Sequence, residues 1–263
     1  MVVSRASLNY EELRHVIDLA LWAGQLLLQH GAETQRIEET VHRMGTGLGC
    51  DWVDILISPN GLLITTNSGG DFRTKFRRVV RMGVNMNVVA EINELSRRVD
   101  RGEYDRFKVE TELRRISDQP HNYNRRVVVG MVGLSCAAFS QLFGGDFAAL
   151  VVTFGASALA MLVRQELQVR HFNTLMTVII TAFVAGLITG AAGTLLPDKA
   201  LQTALAASVL LLVPGVPLIN AAEDLLKGHI LMGIVRGANG ALISLAIALG
   251  LLLAMALTGV TGL

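Results

Sequence analysis

Apolar positions follow three different patterns along this chain. Leu13, Val16, Ile17, Ala20, Leu21, Gly24, Leu27 and Leu28 recur at three- and four-residue spacing, which predicts an amphipathic helix with one buried face. His30-Gly31 ends it, with Gly31 in the usual glycine position past a helix terminus. Thr34 is a good N-cap for a second helix to about Met44, after which the glycines at 45, 47 and 49 predict a looser chain. Asp51 to Ser58 then alternates Val53, Ile55 and Ile57 against Trp52, Asp54 and Leu56, a strand. Pro59-Asn60-Gly61 is a turn and Leu62 to Thr66 the return strand of a hairpin. After Asn67-Ser68-Gly69-Gly70, a third strand sets Phe72, Thr74 and Phe76 against Arg73, Lys75 and Arg77. Val88, Ile92, Leu95 and Val99 mark another helix, and Tyr104 to Ile116 a last one. Residues 1–120 therefore predict a small α+β domain with a three-stranded antiparallel sheet.

From Val127 onward periodic patterning gives way to long apolar runs rich in Ala, Gly, Leu and Val. Runs near ~18 residues with few charges are long enough to cross ~30 Å of hydrocarbon. Five spans are predicted, at about 127–143, 147–163, 174–192, 201–218 and 232–257, within a transmembrane domain of residues 121–263. The expected fold class is an α-helical membrane protein: five transmembrane helices behind an N-terminal cytoplasmic α+β domain.

Charge sharpens this division. Of 45 Lys, Arg, Asp and Glu residues, 35 precede Val127. Arg125 and Arg126 precede span one, Arg164, Arg170 and His171 lie between spans two and three, and Lys227 lies between four and five. Basic residues concentrate on the cytoplasmic side, so the N-terminus is expected inside and the C-terminus outside. A net charge of +1 suggests no nucleic-acid partner. Cys50 and Cys136 lie in different halves and read as buried free thiols. His15, His30 and His42 lack metal-ligand spacing, and no phosphate loop, nucleophile elbow or Cys/His cluster appears, so no metal, cofactor or enzymatic activity is expected. The basic face of the third strand, with Arg78 and Arg81 beyond it, has three readings: an anion site, a contact with lipid phosphates, or, most simply, a solvated outer face.

Small residues four apart recur in the spans: Gly133/Ala137, Ala156/Ala160, Gly186/Gly190 and Gly233/Gly237. They predict close helix contacts. Five short spans hardly enclose a solute path and still present a full lipid-facing exterior, which argues for association with further copies or with a second membrane subunit.

The segment from Ala206 to Ile230 carries the candidate chemistry. An apolar helix meets Pro214-Gly215-Val216-Pro217, where missing N–H groups must break or kink it. Broken backbone at membrane depth survives only where protein or a water-filled cavity surrounds it, and transporters place substrate sites there. A mere kink, with the acids in solvent, is the competing reading. Asn220 and Asp224 share a helix face, Glu223 and Lys227 form a plausible ion pair, and Arg236 and Asn239 follow in the last span. Asp224 is left to pair with Arg236 or to exchange protons as cargo moves. Arg236 is the one cation expected at depth, unless it snorkels to the interface.

The run Ser208–Ile230 (SVLLLVPGVPLINAAEDLLKGHI), with MVGLSCA at Met131–Ala137 and LLLQHGAET at Leu26–Thr34, resembles the threonine/serine exporter family. It is most similar to the larger subunit of the two-component inner-membrane exporters associated with succinate. The resemblance covers nearly the whole chain. It implies a bacterial inner-membrane protein that exports a small polar metabolite, succinate or alternatively threonine and serine, with a small integral-membrane partner subunit or in a higher hetero-oligomer. The positions that match the family are Gly31, Ala32 and Glu33 in the soluble half and Pro214, Gly215, Pro217, Asn220 and Asp224 in the membrane half. A membrane-anchored sensor with a ligand-binding cytoplasmic domain is the alternative of another class.

Overall fold

A computed structural model of the protein describes residues 8–80, 82–119, 123–195 and 197–260. Arg81 of the basic stretch lies outside the described residues. The chain forms two compact units. One contains the described residues up to 119 together with 216–237; the other contains 123–215 and 238–260.

In the first unit, α1 (Tyr10–Gln29) opens with a reciprocal cap between Asn9 and Glu12. Its predicted stripe is buried: Leu13, Leu21, Leu27 and Leu28 meet Ile37 and Val41 of α2 (Thr34–Gly47), with Ile92 of α3 (Met86–Asp100) and Leu113 of α4 (Arg106–Ser117). The sheet has the predicted antiparallel order β1 (Trp52–Ser58), β2 (Gly61–Ser68), β3 (Asp71–Arg78).

Two expectations about α2 are corrected. Thr34 is its first helical residue and Glu33 occupies the N-cap position, without a side-chain cap. The helix also runs on through Gly45 and Gly47. These glycines permit close approach: a methyl group on Gly45 would lie 2.4 Å from Val53 Cγ2, and one on Gly47 2.8 Å from Val99 Cγ1.

The basic strand face is not an outer face. Register pairs Ile64 with Lys75 and Thr66 with Arg73, so the cations share the inward side with Val53, Ile57 and Leu62. The Arg73 guanidinium stacks over the Tyr10 ring at 3.5 Å, and Lys75 pairs with Asp18, both partners on α1. The exposed side is apolar instead: Leu56 is 65%, Phe72 66% and Phe76 57% exposed. Alternation reveals that a strand has two faces, and only pairing decides which one is buried.

The second unit is helical, and its span count differs from the expected five. Among the described residues, three helices are long and apolar enough to cross a membrane: α6 (Phe147–Val169), α7 (Thr174–Ala191) and α10 (Ile230–Thr258). A fourth crossing results if α8 (Asp198–Ser208) and α9 (Gly215–Leu226), interrupted by a 3-10 turn at Leu210–Leu212, count as one broken span. The first expected span falls on α5 (Arg125–Leu142), whose 18 residues include Arg125 and Arg126. The second extends past 163, so Arg164 lies on α6 and not in the following connection. The small residues pack as close contacts. Ala156 and Ala160 are fully buried, and methyl groups on Gly186 and Gly190 would meet Ala254 and Thr258 of α10. Gly250, which the four-residue pattern does not single out, sits against the Ile179 carbonyl.

Candidate functional site

The site is built where α1 ends. Gly31 adopts φ +85°, and Ala32 N–H returns to the Leu27 carbonyl at 3.0 Å. This left-handed closure satisfies α1 and leaves the carbonyls of Gly31 and Ala32 for other donors. Gly83 N–H to Gln29 O and Asn85 N–H to His30 O brace the same loop from α3's approach.

Those carbonyls are taken by donors 189 and 204 residues away in sequence. Asn220 Nδ2 of α9 donates to Gly31 O at 2.8 Å, and Arg236 Nη2 of α10 donates to Ala32 O at 2.8 Å. Thr34 N–H, at the start of α2, donates to Asp224 Oδ1 at 3.0 Å. Asp224 thus supplies the cap that Glu33 does not, in the place where a helix start favours negative charge. Asp224 is 0% exposed, and its Oδ2 lies 2.9 Å from Arg236 Nη1, whose side chain is 13% exposed. The two atoms are close enough for an ion pair but are not aligned as a hydrogen bond, so each keeps directional capacity unspent. The Thr34 hydroxyl is likewise buried without a partner among the described residues.

A second tier surrounds this pair. Lys227 bridges Glu33 at 3.2 Å and Glu223 at 2.5 Å. The adjacent Glu223 carboxylate is the chief cause of a Lys227 pKa above the ordinary lysine value. Gly228, at φ +86°, turns the chain so that His229 N–H caps α9 on the Asp224 carbonyl. His229 Nδ1 then faces Glu38 Oε1 of α2 at 3.6 Å. Burial holds the Glu38 carboxyl above the usual carboxylate range, although His229 opposes the shift. Glu38 also edges an open cleft of about 510 Å³ that His42, Arg43 and Asp54 help to line.

Of the residues singled out from sequence, Gly31, Ala32, Glu33, Asn220, Asp224 and Arg236 come together in this cluster. Pro217 falls in the first turn of α9, where a missing N–H leaves no helix bond unmade. Pro214, Gly215 and Asn239 belong to the second unit. Pro214 is buried in the helix break, and Asn239 is exposed without a side-chain hydrogen bond among the described residues. Glu38, His229 and the backbone of Thr34 were missed, since nothing local marks them as neighbours of Asp224. His15 and His30 have structural partners in Glu110 and the Leu26 carbonyl. Among the described residues no group of three His, Cys, Asp or Glu side chains is placed to hold a metal ion.

A family model described as "Putative threonine/serine exporter" matches residues 18–258. The chain is 41% identical over 253 residues to the "Probable succinate transporter subunit YjjP" of Escherichia coli K12, covering 96% of this chain and 98% of that protein. It is 42% identical over 252 residues to the protein of the same description from Klebsiella aerogenes, covering 95% and 97%. An uncharacterized protein of Haemophilus influenzae is 33% identical over 141 residues, which is 53% of this chain and 46% of that protein. No solved structure matches the chain.

Proposed function

The chain belongs to the threonine/serine exporter family, and from that premise we propose that this transporter moves a small organic acid, succinate first among candidates, out of the cytoplasm. It works with a small integral-membrane partner subunit, in the bacterial inner membrane, with its N-terminus cytoplasmic and its C-terminus outside. The succinate assignment and the partner rest on what the relatives are called. The reading from residues rests on one observation: a fully buried carboxylate and a nearly buried arginine, Asp224 and Arg236, clasp the loop between α1 and α2.

That arrangement suits a carrier of carboxylates. Arg236 carries a fork of donors that matches a carboxylate; one arm is spent on the Ala32 carbonyl and the other faces Asp224. Protonation of Asp224 would free the arm that faces it for a cargo carboxylate, with the Ala32 carbonyl keeping the other, and proton loss would restore the pair. Ionisable groups held at this expense are functional candidates in membrane proteins. Asn220, on the same face of α9, holds the Gly31 carbonyl while the pair exchanges.

The test is transport in inside-out vesicles that carry the chain and its partner. Gradient-driven uptake of labelled succinate, lost in Asp224→Asn, supports the proposal. Uptake of threonine or serine instead of succinate would assign the other cargo of the family. No uptake of any of the three, with the pair intact, would overturn the carrier reading.

A further inference from the structure

The second unit contains a cationic cavity separate from the Asp224 cluster. Arg164 lies on α6, five residues before its end, about 8 Å along the helix. Its Nη1 donates to the Leu211 carbonyl at 2.8 Å. Leu211 needs this donor because of the helix break. The N–H that would reach it in a regular helix, that of Gly215, bonds instead to Val213 O at 2.9 Å. Pro214 has no N–H to offer. Arg164 therefore stabilises the opened turn with one of five donors.

Among the described residues, no carboxylate pairs with Arg164. Glu166, two residues on, pairs with Arg170 at 2.9 Å and lies 3.9 Å from Arg125. An arginine within a membrane-crossing helix, without a counter-ion, is costly. Beside it is a cavity of about 210 Å³, walled by Val132, Ser135, Cys136 and Phe139 of α5, Met161 of α6 and Leu210 of the broken turn. That volume is below the ~300 Å³ at which pockets for drug-sized molecules begin, so it suits a solute of a few heavy atoms. One cation, walls that are apolar and sulfur-bearing apart from the Ser135 hydroxyl, and this volume suit a carboxylate on a short aliphatic body.

We propose that this cavity binds the carboxylate of a small organic acid, with Arg164 as the anchoring cation. The proposal rests on the transporter reading of the chain but not on which cargo is exported. It places a binding site directly at the break between α8 and α9. The bond to Leu211 means that carboxylate arrival competes with, or shares, the donor that holds the opened turn.

Cys136, in the cavity wall, provides the test. In full-length protein with Cys50→Ser, reconstituted in liposomes, a small methanethiosulfonate reports on Cys136 alone. Succinate and acetate are expected to slow its modification saturably, whereas succinamide and chloride at equal concentration leave it unchanged. Arg164→Gln abolishes the protection, and Arg164→Lys, which keeps charge without the fork, retains part of it. Equal modification with and without carboxylates, or undiminished protection in Arg164→Gln, would overturn the proposal. If Cys136 is too enclosed to react, the unfolding midpoint replaces it. Succinate should raise it in the parent and not in Arg164→Gln, and no rise in the parent overturns the site. Protection without transport would sink the proposed function and leave this site standing; transport without protection would do the reverse.

Discussion

The Asp224 carboxylate accepts the backbone N–H of Thr34, 190 residues earlier in the chain, and so starts helix α2. It also faces Arg236 at 2.9 Å. Asp224→Ala therefore removes a cap and strands a guanidinium together. The expected loss is about 3–5 kcal/mol, the usual result of breaking a buried pair from one side. Asp224→Asn keeps an oxygen for Thr34 and should cost less. Denaturation of both variants, with Arg236→Ala and the double variant, completes a cycle. The double variant should lose clearly less than the two singles combined; strict additivity would mean that the residues do not interact.

Gly45 and Gly47 test whether the C-terminal turns of α2 are loose or tightly packed. Gly45→Ala would press its methyl into Val53 and Gly47→Ala into Val99. Each should destabilise by about 1–3 kcal/mol, measured by chemical denaturation. Val53→Ala should recover part of the Gly45→Ala loss. Gly155→Ala on α6 has open space around its new methyl and should be neutral or stabilising.

Glu38 gives a pH dependence with a definite sign. Its carboxyl is raised from the ordinary 4.5 chiefly by burial, with the nearby Asp224 charge adding to the shift. A raised folded-state pKa means that the fold favours the protonated form. The stabilisation is complete below the unfolded value and is lost as pH rises through the folded one. Relative to Glu38→Gln, the parent should therefore lose thermal stability as pH climbs from about 4.5. Parallel melting curves for the two across that range would contradict the assignment.

Gly250 lies so near the Ile179 carbonyl that a methyl would sit 2.5 Å from it. Backbone cannot yield as a side-chain tip does, so Gly250→Ala should separate α10 from α7. The expected readout is a lower melting temperature and a smaller yield of monodisperse protein, by more than for Gly155→Ala.

Much of the first unit was legible because helix and strand periods are local. The stripe of α1, the turn at Pro59-Asn60 and the left-handed Gly31 are all written within a few residues. The side of the sheet that faces the core was not legible, because Lys75 and Phe76 exchange roles with a one-residue change of register. The Asp224–Arg236 pair was one of the options that charge left open, beside an Arg236 drawn to the interface, and the structure forms it. Its seat on the Gly31–Thr34 loop was not legible, since no local pattern encodes a contact over 190 residues. Arg164 misled for a related reason. A cation near a span boundary reads as a loop residue, and only the carbonyl freed at Leu211 shows what holds its side chain within the helical unit.

Met232 of α10 is 4% exposed in the same core as Leu13 and Ile92. A fragment cut at residue 120 would lack that plug, together with every donor that closes the Gly31 and Ala32 carbonyls. Such a truncation should be purified as a sticky, partly ordered species, and binding measured on it would describe an open wound in the fold. The amphipathic half completes itself only after the ribosome has made the hairpin between α9 and α10.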